Sequence, residues 1–146
     1  MLIYVISCSN NSASSDSDSN ELVGVWNGIE VNNESLNANF IFTSNQFTYD
    51  SYIDSILLES MMGNYSLNIN SNHTEIDLHI TSSFISIDDI PNDSYAGLTS
   101  LGIFMFNSDT LIFSGTEPGL EIRPINFNQG QNDGYYSRVF HLTKEN

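Results

Sequence analysis

From residue 22 onward, apolar and polar positions alternate in short runs separated by Asn, Ser, Asp and Gly. A period of two puts successive side chains on opposite faces of a strand, whereas a helix needs apolar residues three and four apart. Residues 75–81 show the alternation most cleanly, with Ile76, Leu78 and Ile80 on one face and Glu75, Asp77 and His79 on the other. The same pattern predicts strands over 22–31, 39–43, 46–52, 62–69, 98–106, 110–114 and 138–144. Ser44-Asn45 fits a two-residue hairpin. Asn32-Asn33 starts a turn, Asn70-Ser71-Asn72 closes a strand, and Asn107-Ser108-Asp109 joins two more. About eight evenly spaced strands close into a barrel that holds packed side chains or one small ligand. The predicted fold is all-β, a single antiparallel up-and-down barrel.

Three segments fit this pattern less simply. Residues 54–61 read as one helical turn or as an extension of a neighbouring strand. Residues 84–95 carry Ile85, Ile87 and Ile90 but are broken by Asp88-Asp89 and Pro91-Asn92-Asp93, which predicts a loop insertion lying on the barrel. Residues 118–134 form a long connection rich in Gly, Asn and Gln. Loops of that length are uncommon unless functional or disordered.

The first twenty residues follow another rule. Met1 to Ile6 are almost wholly apolar, and a run of Ser, Asn and Asp follows Cys8. Val5-Ile6-Ser7-Cys8 resembles the bacterial lipobox, an aliphatic residue, a tolerant position and a small residue before the modified cysteine. The resemblance implies cleavage before Cys8, diacylglycerol on its sulfur and acylation of the new amino terminus. Several acyl chains together anchor firmly where one is marginal. No basic residue precedes Cys8 and the apolar run is short, so residues 1–7 read as a truncated signal peptide. Residues 8–20 read as the lipid-attachment cysteine with a flexible spacer, and 21–146 as the barrel. Ser9, rather than Asp, follows the cysteine, which by analogy with bacterial sorting implies the outer membrane of the cell envelope.

Composition narrows the functions on offer. The chain has 146 residues, enough for one domain, with 40% hydrophobic residues to build its core. Three Lys and Arg stand against eighteen Asp and Glu, a formal net charge of -15. Such a chain repels nucleic acid, which needs cationic side chains on its phosphates, and gains nothing from anionic lipid. A link to a membrane, if there is one, must therefore be covalent or integral, and no stretch reaches the ~18–20 apolar residues of a spanning helix. Cys8 is the sole cysteine, so no disulfide forms within the chain.

Gly24-Val25-Trp26 at the start of the first strand matches the Gly-x-Trp hallmark of lipocalins. The indole plugs one end of such a barrel, and the glycine lets the backbone bend and pass closely. The hairpin Leu101-Gly102-Ile103-Phe104 to Asp109-Thr110-Leu111, then Pro118-Gly119 and Arg123-Pro124-Ile125-Asn126-Phe127, occur in the order seen in a family of small lipocalin-like domains of unknown function. Over 22–145 the chain resembles these domains of planctomycete and Bacteroidetes lipoproteins. Where family members often carry a cysteine, this chain has Ser114. The resemblance implies a fold and no reaction. In lipocalins a basic side chain near the last strand packs across the tryptophan, and the resemblance assigns this to Arg138, with Arg123 as competitor. Barrel closure is thus expected from Gly24, Trp26 and Arg138.

Candidate chemistry is sparse. There is no Gly-x-Ser-x-Gly elbow for acyl transfer. Glu75, Asp77 and His79 share a strand face, but same-face neighbours ~7 Å apart do not converge on one ion. Asp88, Asp89, Asn92 and Asp93 lack the EF-hand order and read as a solvated acidic loop. His73 and His141 read as structural or exposed. No metal, cofactor or catalytic residue is expected. What remains is the barrel interior, where Phe40, Phe42, Phe47, Tyr49, Tyr65, Ile103, Met105 and Phe113 are the candidates to line a pocket. The expected function is a non-catalytic envelope lipoprotein, its barrel binding a small hydrophobic ligand. The alternative is a filled barrel that meets an envelope protein through its acidic surface or the 118–134 connection.

Overall fold

The computed structural model describes residues 15–69, 73–87, 90–128, 130–132 and 135–146. A short helix, α1 (Ser15–Leu22), precedes β1 (Gly24–Glu30), β2 (Asn33–Phe42), β3 (Gln46–Ile53), β4 (Ile56–Ile69) and β5 (Thr74–Ile87). Then follow β6 (Ile90–Asn92), β7 (Thr99–Asn107), β8 (Thr110–Thr116), β9 (Gly130–Asn132) and β10 (Tyr135–Lys144). Antiparallel neighbours run β1-β2-β3-β4-β5-β7-β8-β10, and β10 returns to β1, closing eight strands into one up-and-down barrel. Closure leaves no unpaired edge among the long strands. The short β6 and β9 add to β5 and β10.

The three ambiguous segments resolve for local reasons. Asp54 and Ser55 both take positive φ, 50° and 67°. Two such residues make the primed turn whose twist matches the flanking strands. The chain therefore folds straight back, Ile53 opposite Ile56, and residues 56–61 extend β4 against β3. The loop insertion expected over 84–95 is corrected: β5 runs on to Ile87 and β6 pairs back onto it, Ile85 opposite Asn92. β4 supports this extension from its other side, with Glu59 opposite Ile85.

The long connection carries no strand or helix from 117 to 128, and the Arg123 side chain ties it to the barrel wall. Arg123 Nη1 donates to Ile76 O at 3.0 Å and Gly102 O at 2.6 Å, and Nη2 pairs with Asp77. Its Nε lies 3.7 Å from Glu75. The outward carboxylates of β5 thus hold a cation from the connection, and Pro124 beside it is fully buried.

Residues 15–20, at the end of the expected polar spacer, are helical. Ser and Asp have modest helix propensity, so tertiary anchoring holds the helix rather than composition. Its last turn supplies that anchor: Leu22 is fully buried, and the carbonyls of Glu21 and Leu22 accept from Lys144 and Trp26.

Inside the barrel, strand alternation assembles one aromatic column. Phe40 sits at its centre, with ring centroids at 4.7 Å to Tyr49, 5.1 Å to Phe113 and 5.5 Å to Phe140. Leu142, Leu111, Phe104, Ile76 and Leu78 complete the packing around it.

Candidate functional site

The two ends of the column differ. At the closed end Trp26 is 2% exposed, and its Nε1 donates to Leu22 O at 2.7 Å. Its ring lies 5.8 Å from that of Phe106. Gly24 has φ +144°, and a Cβ there would stand 2.5 Å from Lys144 Cε, so this position takes only glycine without strain. Lys144 Nζ lies 5.2 Å above the indole and donates to Glu21 O at 3.0 Å.

The basic residue across Trp26 is therefore Lys144, which corrects the assignment of Arg138. Register gives the reason. β10 runs antiparallel to β1, with Trp26 opposite Lys144 and Glu30 opposite Phe140. Arg138 faces the same interior as Lys144 but six residues earlier along β10, which puts it at the far end of the barrel.

At that far end the core stops short and leaves a cavity of about 210 Å³. Phe40, Phe47, Tyr49, Phe113 and Phe140 form its aromatic wall, and Met61, Leu78 and Ile80 its aliphatic one. Ser100, Glu59, Glu117, Tyr95 and Arg138 bring the polar groups. Arg138 Nη1 donates to Glu59 Oε2 at 2.9 Å and Nε to Glu30 Oε2 at 3.3 Å. Its guanidinium carbon lies 5.1 Å from the Phe140 ring centroid and 5.9 Å from that of Tyr49. Glu59 and Arg138 also border an outer groove lined by Glu30, Ser51 and Leu58, so this pair stands between the cavity and the groove. Across the mouth, Tyr95 Oη donates to Glu117 Oε1 at 3.3 Å.

Two buried hydroxyls at this end, Tyr49 Oη and Ser51 Oγ, have no hydrogen-bond partner among the described residues. Burial pushes the Tyr49 phenol well above its ordinary value, opposed by the Arg138 charge. Burial alone would lower Arg138, but the negative charge around it, from Tyr49 when ionised and from Glu59 and Glu30, raises it instead. At neutral pH the cavity thus contains a neutral phenol and a fixed cation.

The phenol shift has a measurable consequence. Above its ordinary pKa of 10.0 an unfolded Tyr49 loses its proton while the folded one keeps it. The native state then binds more protons, and stability falls by ~1.4 kcal/mol per pH unit as pH rises past that value. Tyr49→Phe removes this contribution and stabilises the chain at neutral pH by about 1 kcal/mol, because the unpaired hydroxyl is gone. Urea midpoints between about pH 8 and 11 read both effects; an unchanged alkaline slope in the variant contradicts them.

Of the residues expected to line a pocket, the structure brings Phe40, Phe47, Tyr49 and Phe113 to the cavity. Phe42 and Tyr65 point inward nearer the closed end, edge to face at 5.4 Å, with Tyr65 Oη donating to Thr43 O at 2.7 Å. Ile103 and Met105 are corrected: β7 turns Gly102, Phe104 and Phe106 inward and these two outward. Ile103 is nonetheless fully buried, on the barrel face that Arg123 crosses. Glu30, Glu59, Tyr95, Glu117 and Phe140 were not anticipated. Glu30 and Phe140 were open to parity, since Glu30 lies four residues beyond Trp26 and Phe140 two beyond Arg138. Glu75 and Asp77 hold Arg123, and His79 Nδ1 lies 3.0 Å from Thr99 Oγ1. Cys8, the 70–72 turn and Asp88-Asp89 lie outside the described residues.

Compared with family models, curated proteins and solved structures, the chain matches none.

Proposed function

We propose that the chain is a non-catalytic, lipid-anchored binding protein of the bacterial cell envelope. Its lipocalin-like barrel holds a small ligand, and Cys8 carries the anchor. The observation that supports binding is the cavity of about 210 Å³ in a barrel whose other half is densely filled with side chains. Apolar cavities on the order of 150 Å³ accept benzene, and drug-sized ligands need roughly 300 Å³ or more. The site therefore suits a molecule built on a single ring. The anchor rests on the lipobox-like Val5-Ile6-Ser7-Cys8 and the polar tract behind it.

One experiment tests both halves. The chain is expressed behind a full lipoprotein signal, extracted from membranes in mild detergent and weighed by native mass spectrometry. The expected mass carries acyl chains on Cys8 and a small non-covalent adduct. Ile80 lines the cavity and is 3% exposed, so Ile80→Phe places a ring inside it. That variant loses the adduct and binds toluene at least about tenfold more weakly by NMR titration, at a folding cost of roughly 1–3 kcal/mol or less. An unmodified cysteine overturns the anchor. Equal toluene binding in both proteins, or none in either, overturns the pocket and favours the filled barrel that meets a partner through its acidic surface.

A further inference from the structure

We infer that the cavity selects a small organic cation, a single apolar ring bearing an ammonium group, over neutral or anionic molecules of the same shape. This rests on the binding role proposed above and names its chemistry.

Charge at the inner mouth carries the argument. Two carboxylates, Glu59 and Glu117, line it with one guanidinium, and a third, Glu30, stands behind that guanidinium in the outer groove. Arg138 is already paired with Glu59 at 2.9 Å and Glu30 at 3.3 Å, so it has little attraction left for an incoming anion. An anion would also face Glu59, whose side chain is only 16% exposed and therefore weakly screened. A cation instead meets a net negative mouth, because the carboxylates outnumber Arg138 and Glu117 has no salt bridge among the described residues.

Two further observations point the same way. Tyr49 lines the cavity at 2% exposure, and its hydroxyl oxygen has no hydrogen-bond partner among the described residues, so it has lone pairs to offer an ammonium N–H. Aromatic rings bound the space, and ring faces attract cations. The barrel already uses two of these faces in that way, since Arg138 lies over Tyr49 and Phe140. A net charge of -15 adds a long-range field that draws cations and repels anions.

The test uses three probes with one ring and three head groups: benzylammonium, benzyl alcohol and benzoate. Each is titrated by NMR into the full chain at low and at physiological salt. Benzylammonium binds about tenfold or more tighter than benzoate, a difference of about 1.4 kcal/mol, with benzyl alcohol between them. Glu59→Gln cuts that ratio severalfold. Glu117→Gln, on the exposed rim where folding is not at stake, cuts it as well. Benzoate or benzyl alcohol binding as tightly as benzylammonium overturns the inference and leaves the binding role standing. A ratio unchanged in both variants likewise overturns it, because the carboxylates named here would not be its source. Binding of none of the three overturns the inference and the binding role together.

Discussion

Trp26→Ala is expected to cost about 4 kcal/mol, within the ~3–5 kcal/mol typical of removing a large buried aromatic. Trp26 is the only tryptophan and is 2% exposed. Its ring holds together three parts of the closed end. It packs against Phe106, donates to the carbonyl that ends α1, and seats the Lys144 ammonium. Truncation leaves a void beneath Leu22 and frees the Leu22 carbonyl, so the helix should loosen along with the loss of global stability. Urea unfolding followed by circular dichroism reads the global term, and amide exchange over 19–24 reads the local one. Trp26→Phe restores most of the packing but not the N–H donor, and should cost about 1–2 kcal/mol less than the alanine variant. Lys144→Ala removes an exposed cation and its hydrogen bond to Glu21 O, together worth ~1–2 kcal/mol. If Lys144→Ala proved as damaging as Trp26→Ala, the indole would not be the organising group.

How far such effects could be read from the chain depended on which physical signal each residue left. Strand number was legible because Ile76-x-Leu78-x-Ile80 and similar runs alternate only when one face is wet. Alternation disappears where both faces are covered. Over 101–106 nearly every residue is apolar, since the barrel lies on one side and buried Ile103 on the other. Parity there is undetermined by the sequence, which allows Ile103 inward as readily as Phe104. Arg138 and Lys144 pose a different problem. They share parity, and only the antiparallel register that sets Trp26 opposite Lys144 says which one meets the indole. Register across more than a hundred residues leaves no local trace. Glu59 was hidden for a third reason. Its strand exists because Asp54 and Ser55 adopt positive φ, a turn that Gly or Asn would have signalled and these residues do not. The helix end is similar, because what holds 15–22 is Trp26 and Lys144, not its own composition.

Arg138→Ala should cost about 3 kcal/mol, the low end of the ~3–5 kcal/mol lost when one partner of a buried charge network is removed. The low end applies because Arg138 keeps 26% of its side chain in solvent. The loss comes chiefly from what stays behind. Glu30, with 5% of its side chain exposed, and Glu59, with 16%, would both lose the guanidinium that stands between them. Two consequences separate this account from simple loss of packing. First, the penalty lies in the stranded carboxylates, so Glu30→Gln and Glu59→Gln added to Arg138→Met should recover most of it, while Arg138→Met alone should not. Second, the space left by the guanidinium keeps its carboxylates and the Tyr49 and Phe140 faces, so an added alkylguanidinium should re-enter it. Ethylguanidinium at millimolar concentration is expected to raise the melting temperature of Arg138→Ala and leave that of the unmodified chain unchanged. Failure of both the triple variant and the added cation would mean that Arg138 acts as bulk in the wall and that the carboxylates do not govern this end of the barrel.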